Sequence, residues 1–288
     1  MIALEPIATS TIARIGSDLV GRLSQIDRKT SSRISRVDLE QAVQHRLREL
    51  RQVKTFWFDK EPKDIADFFI DRSFSTQLGA ITARSLDDLP GRNILIEGHA
   101  GHGKSLFMRH ACAIEQQLNR AFVAFVRLRD VSDEMSLMDL LVGYFSDLQA
   151  DFSPRDVLDL IQRNNVSVFL DGFDEVPHNA QKATIEAINQ MCHRAEFGDS
   201  RVIVSSRPRG RLQRSGYFRN LTLLPLSEEQ AHELIWKLDP EGTLATSIIH
   251  QLRTSKNSDF EEMLTSPLLV TILLVIFKKT RRLPDNYC

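Results

Sequence analysis

A glycine-rich turn set between an apolar strand and a helix constrains this chain more than any other feature. In NILIEGHAGHGKSLFMRHACAIEQQL, residues 94–96 read as a short buried strand, and Leu106, Met108, Cys112 and Ile114 lie along the helix that follows. Between them Gly98, Gly103, Lys104 and Ser105 match the spacing G-x-x-x-x-G-K-[ST]. A turn of this composition curls its backbone N–H groups around phosphate oxygens because glycine leaves no Cβ in the way, and the helix N-terminus adds partial positive charge. On this reading Gly98, His99, Ala100, Gly101, His102, Gly103, Lys104, Ser105 and Leu106 form the phosphate side of a binding site. Lys104 reaches the outer phosphates and Ser105 ligates a magnesium ion. His99 and His102 are unusual in such a loop, where small or apolar residues are commoner, and both are expected to face solvent.

A second strand tip gathers acids. SVFLDGFDEVP, residues 167–177, places Asp171, Asp174 and Glu175 within five positions, directly after an apolar run. Such a tip is either a solvated turn or a place where Asp171 stands beside a metal ion while Asp174 and Glu175 face a water molecule. The second alternative requires a phosphate site elsewhere in the chain, and the glycine-rich turn supplies one. A third tip, RVIVSSRPR, carries Arg207 just past an apolar strand, with Pro208 stopping that strand. Arg207 is either a surface arginine or a group that contacts a terminal phosphate by a charge-assisted bond. Arg209, Arg211, Arg214 and Arg219 follow it, and this run reads as a solvated face, so nucleic acid is an unlikely partner by this reading.

The rest of the chain divides around these tips. Residues 1 to about 90 read as mostly helical, with Leu39, Val43, Leu47 and Leu50 at helical spacing and a basic stretch at Arg28, Lys29, Arg33 and Arg36 that suits a solvated linker. From 91 to about 226 strands and helices alternate, as a parallel sheet with crossover helices requires. Its expected strands are 94–96, 121–128, 166–170, 202–205 and 221–224, with Ser153 and Pro154 opening a helix between them. From Ser227 the pattern turns helical, opening on a capping box to Gln230. The apolar run 268–277 would span only about 15 Å as a helix, half of a bilayer's hydrocarbon thickness, so it is read as a core helix with no membrane involved.

Charge and cysteine content fit a cytoplasmic protein. The net charge is −1 over 288 residues, which gives no overall pull toward polyanions. Cys112, Cys192 and Cys288 are odd in number, widely spaced and in no metal-ligand pattern, as expected of reduced thiols. The N-terminus MIALEPIATSTIARIG lacks the basic leader and apolar core of a signal peptide.

These motifs, in this order, resemble the NACHT family of STAND-class P-loop NTPases, which includes the NOD-like immune receptors and bacterial relatives used against phage. The likeness covers roughly residues 50 to 283. GHAGHGKS resembles the family's Walker A loop and VFLDGFDEV its Walker B segment, where a small residue follows the magnesium aspartate and two further acids come two positions later. Gly172 in that position argues against the AAA+ and plant-type NB-ARC patterns. FVRLRDV resembles the second strand, VSSRP the first sensor, LLPLSEEQ the entry to a helical subdomain, and TSPLLVTILLV the segment whose proline, here Pro267, packs near base and ribose.

The resemblance implies a P-loop NTPase three-layer α/β sandwich with a parallel five-stranded sheet. Residues 1–50 then form an N-terminal helical region with no recognised effector. Residues 51–226 form the nucleotide-binding domain with a helical lead-in, and 227–288 a small helical subdomain. It implies ATP or ADP with Mg2+ as cofactors, with Ser105 and Asp171 as metal ligands. Glu175, supported by Asp174, orients or deprotonates the attacking water, and Arg207 senses the γ-phosphate from a strand between the two Walker strands. It further implies a slow signalling switch that self-associates in its activated form in answer to an unidentified trigger ligand. The alternative is an AAA+-like remodelling ATPase acting on protein or nucleic acid. Family members continue into a winged-helix domain where this sequence stops at Cys288, so a truncated switch is expected.

Overall fold

The computed structural model describes residues 36–58, 60–118, 121–146, 152–163, 165–208, 210–254 and 258–283. Arg28, Lys29, Arg33, Arg209 and Cys288, and the side chains of Leu39 and Val43, lie outside the described residues.

The chain begins with helix α1 (Arg36–Arg51), which buries Leu47 and Leu50. A two-stranded antiparallel ribbon, β1 (Gln52–Val53) with β2 (Lys63–Asp64), leads to the one-turn helix α2 (Ile65–Phe68). The hairpin β3 (Arg72–Thr76) and β4 (Gly79–Ala83) precedes β5 (Ile94–Glu97), α3 (Lys104–Gln117) and β6 (Phe122–Arg127). Next come α4 (Leu137–Ser146), α5 (Pro154–Arg163), β7 (Val166–Asp171), α6 (Gln181–Ala195), β8 (Arg201–Ser206) and β9 (Arg219–Leu223). Four helices follow: α7 (Glu228–Leu238), α8 (Thr243–Thr254), α9 (Ser258–Leu264) and α10 (Pro267–Thr280).

Five strands, in the order β9-β5-β8-β7-β6, run parallel, as the alternation of strand and helix requires. The central strands are apolar at successive positions because helices cover both faces. Ile94 and Ile96 of β5 enter the core shared with α3 and the C-terminal helices, while Leu95 points into the core shared with α4, α5 and α6. The strand β8 lies between β5 and β7, so the tips carrying the glycine-rich turn, Arg207 and the acids are neighbours along one edge.

The sheet is larger than the sequence suggests. The hairpin β3–β4 adds two antiparallel strands outside β9, giving seven in the order β4-β3-β9-β5-β8-β7-β6. The expectation of a mostly helical lead-in fails over this stretch. RSFST is polar apart from Phe74 and GAITA is made mostly of small residues, with Phe74 and Ala83 buried, and their order comes from pairing with β9 about 150 residues later rather than from local preference. Arg72 is buried in β3 and donates from Nη2 to the carbonyl of Leu224 at 3.0 Å.

Helix entries follow the expected chemistry. Ser227 Oγ accepts from Gln230 N at 3.2 Å and the Gln230 side chain accepts from Ser227 N at 3.1 Å, so α7 opens on a reciprocal cap. Pro154 is the first residue of α5, where Ser153 and Asp156 cap each other in the same way. In α10 Val270, Leu273, Leu274 and Phe277 are buried against α7, α8 and α9, so the apolar run is a core helix. Among the described residues no helix is long and apolar enough to cross a membrane.

His110 of α3 is fully buried, stacked on Phe69 with ring centroids 3.5 Å apart, and neither ring nitrogen has a partner among the described residues. Burial, helped by Arg84, Lys237 and Arg51, holds its pKa at about 3. The folded protein therefore resists a proton that the unfolded chain takes up at its ordinary pKa of about 6.5. Between those two values the unfolded state binds more protons, so stability falls as pH drops through that window, by up to about 1.4 kcal/mol per pH unit. His110→Phe keeps the ring against Phe69 and removes the titration. The variant is expected to lose less of its melting midpoint than the parent between pH 7.5 and pH 5, and an equal loss in both would contradict the assignment.

Candidate functional site

At the C-terminal edge of the parallel strands a cavity of about 640 Å³ opens between the sheet and the C-terminal helices. Its floor is the glycine-rich turn. Gly98 N donates to Ser206 O at 3.3 Å, fixing the start of the loop on β8, and Lys104 and Ser105 begin α3. Gly101 has a φ of +80°, and a Cβ there would stand 3.0 Å from Ser266 Oγ and 3.2 Å from Leu268, so only glycine lets α10 approach this closely. The approach is bonded: Ser266 Oγ donates to Gly101 O at 3.2 Å, and Leu268 N donates to the same oxygen at 3.4 Å.

Lys104 Nζ rests on the carbonyls of Gly98 at 2.6 Å and His99 at 3.1 Å. Burial holds its ammonium below the usual lysine range, with Asp174 and Asp171 pulling it partly back. Asp171, at the tip of β7, accepts from Ser105 Oγ at 3.1 Å and from Ser205 Oγ at 2.6 Å through one oxygen. Ser205 Oγ in turn accepts from Gly172 N at 2.8 Å. Gly172 has a φ of +84°, a left-handed turn that folds Glu175 back so closely that a Cβ on Gly172 would lie 3.3 Å from its Cδ. Asp174 is engaged by Arg207, whose N donates to Oδ1 at 2.9 Å and whose Nε lies 2.9 Å from Oδ2.

The cavity is lined by His99, Ala100, Gly101, Gly103, Lys104, Ser105 and Leu106 on the loop side, by Asp174, Glu175 and Arg207 across from them, and by Pro267. Three sequence candidates lie just behind that wall. Gly98 ends the strand, Asp171 sits under Ser105, and His102 turns away from the cavity. Its far side is apolar and comes from Phe68 of α2, Leu234 and Leu238 of α7, Leu268 and Thr271 of α10, and the segment 54–56.

A model of the NACHT domain matches residues 92–241, just over half of the chain. The chain belongs to the NACHT family. It is thus a nucleotide-binding P-loop NTPase, and the cavity on the glycine-rich turn lies at the sheet edge of the matched residues. A search of curated proteins finds no match. Among solved structures, the NACHT chain is similar to the Walker-type ATPase of Pyrococcus abyssi, at 12% identity over 66% of this chain and 63% of that one, with a TM-score of 0.45. It is similar to the ORC1 protein of Aeropyrum pernix in complex with DNA, at 15% identity over 68% and 57% and a TM-score of 0.42. A third is the replication initiator DnaA bound to AMPPCP and single-stranded DNA, at 10% identity over 66% and 56% and a TM-score of 0.41. The chain therefore spans between 56% and 63% of the length of these three.

Within the NACHT site two features depart from the sequence reading. His99 is exposed as expected, but His102 is half-buried beneath the loop, with its ring 5.5 Å from that of His99. Burial, then His99, Arg72 and Lys104, hold its pKa below the usual histidine value. Ser205 is the residue that sequence reading missed. It lies in the first-sensor strand, and only the pairing of β8 with β7 reveals that its hydroxyl holds Asp171. The donor set of Ser105, Ser205 and Asp171 is made of hard oxygens, which suits magnesium. No cluster of three or more His, Cys, Asp or Glu suited to a metal occurs among the described residues.

Proposed function

We propose that this chain hydrolyses ATP to ADP with Mg2+, slowly, and that its nucleotide state controls association with further copies of itself in an innate immune or anti-phage response. Ser105 and Asp171 hold the metal, which neutralises charge on the phosphates when bound. The loop amides and Lys104 position the phosphates. Glu175 takes a proton from the water that attacks the terminal phosphorus as the bond to the bridging oxygen breaks, leaving ADP and inorganic phosphate. Pro267, with Leu234, Leu238 and Phe68, offers an apolar wall for the base. The cytoplasm is the compartment this reading implies, and the buried free thiols of Cys112 and Cys192 suit it.

The observation that carries the switch is the double contact from Arg207 to Asp174. The Arg207 side chain is 62% exposed, so its ion pair with Asp174 is worth about 1 kcal/mol or less. A terminal phosphate offers the guanidinium a stronger, bidentate partner, so the arginine trades one anion for the other as ATP enters. Asp174 is then released to support Glu175.

The reading extends to the helices through Gly101, since Ser266 and Leu268 of α10 bond the loop that cradles the phosphates. Light scattering of the purified protein with Mg2+ and ATP, with Mg2+ and ADP, and without nucleotide tests the proposal alongside phosphate release. The expected result is a larger mass with ATP than with ADP and turnover below about 1 s⁻¹, the low end for enzymes. One mass in all three states would overturn the switch, and rapid turnover would favour a working ATPase.

A further inference from the structure

From Ser200 to Ser227 the chain contains no aspartate, glutamate or lysine, yet it holds arginines at 201, 207, 209, 211, 214 and 219. This density stands out in a chain whose net charge is −1. The connection from β8 to β9, which carries most of these arginines, is held in place rather than draped over the surface. Leu212 is fully buried, Gln213 Nε2 donates to Glu97 Oε2, and Ser215 Oγ donates to Asn189 Oδ1 of α6 at 2.9 Å. Arg207 is engaged by Asp174, Arg201 lies 4.0 Å from Asp87, and Arg219 donates to Gln77. Arg211 and Arg214 are exposed and make no ion pair among the described residues.

Aromatic rings follow these two cations: Tyr217 comes three residues after Arg214, just past the Ser215 contact with Asn189, which lies one turn before His193 on α6. Tyr217 is 37% exposed and Phe197 is 65% exposed. Both stand edge-on to His193 of α6, with ring centroids 6.5 and 5.1 Å from it. Of the acids that border the rings, Asp199 is paired with Arg92 at 3.5 Å, and Glu196 lies 3.8 Å from His193. Exposed rings of this size on a water-facing surface leave stacking faces open, and bases are free to stack only where they are not paired in a duplex.

We propose that the strip from Arg211 through Arg214 to Tyr217, His193 and Phe197 binds single-stranded nucleic acid. Arg211 and Arg214 grip successive phosphates, for which the planar guanidinium is better suited than an ammonium, and the rings stack on one or two bases. The strip is separate from the nucleotide cavity, so the proposal stands whether or not hydrolysis is slow or assembly is nucleotide-dependent. It also replaces the expectation that the arginine run is only a solvated face.

The test is fluorescence anisotropy of labelled oligo(dT), oligo(U) and a blunt duplex of equal length, titrated from about 50 to 300 mM salt, with polyglutamate as competitor. The single strands are expected to bind at least about 10-fold more tightly than the duplex, because stacking contributes only where bases are free. The double variant Arg211→Ala, Arg214→Ala should lower affinity by at least about 10-fold and make the log–log salt slope shallower by about 1.4, two phosphates at 0.7 each. Tyr217→Ala should weaken binding without changing that slope, and an unchanged melting midpoint excludes misfolding. Absence of binding at low salt, or an arginine variant that binds like the parent, overturns the proposal. Displacement by polyglutamate as effective as by unlabelled strand would also overturn it, identifying an acidic protein surface as the partner instead.

Discussion

Lys104→Ala is expected to cut affinity for ATP and ADP by at least about 100-fold, because a charged donor serving two phosphates is worth about 1.5–3 kcal/mol per bond. The loss should not come from unfolding. Without nucleotide the Lys104 ammonium is half-buried against two carbonyls, and burial holds its pKa below the usual value, which means the fold bears a cost for keeping it charged. Removing it should leave the melting midpoint of the nucleotide-free protein unchanged or slightly higher. Calorimetric titration paired with a thermal melt reads both quantities. An alanine variant that melts normally and binds nucleotide as tightly as the parent would remove Lys104 from the site.

The loop around Lys104 was legible in the sequence because its geometry admits few alternatives. Gly101 must yield to α10 and turn left-handed, Gly103 precedes the helix with a φ of +91°, and the cation and hydroxyl must follow at once. The acids of β7 were legible for a similar reason, since Gly172 alone allows the turn that folds Glu175 back. The apolar wall was not legible beyond Pro267. Phe68 comes from α2 and Leu234 and Leu238 from α7, and each is an ordinary buried residue in its own segment, so nothing local distinguishes them from core. The hairpin β3–β4 escaped for the opposite reason: Arg72, Ser73 and Ser75 make a polar strand, whose partner β9 lies far along the chain. His102 illustrates a third limit. Its sequence position is in the phosphate loop, but Arg72, one of the charges that lower its pKa, belongs to a strand on the other side of β5.

The double variant Asp174→Asn, Glu175→Gln is expected to bind ATP within a few-fold of the parent and to slow phosphate release by about 10²–10⁴-fold, the range for loss of a general base. Both replacements keep shape and remove charge, so the cavity is preserved. The single variants should differ from each other because the two acids are held differently. Glu175 is folded against Gly172 with no ion pair to an arginine or lysine among the described residues, so Glu175→Gln alone should account for most of the loss. Asp174 is tied to Arg207 through both oxygens, so Asp174→Asn weakens that contact and leaves the guanidinium freer before any nucleotide arrives. Its expected signature is a smaller loss of hydrolysis together with tighter ATP binding, since the arginine no longer has to leave a carboxylate to meet a phosphate. Single-turnover phosphate release and nucleotide titration on the three variants separate these effects. Undiminished release in the double variant would take the base away from this pair. Equal losses in the two single variants would mean that Asp174 acts on the water as directly as Glu175 does.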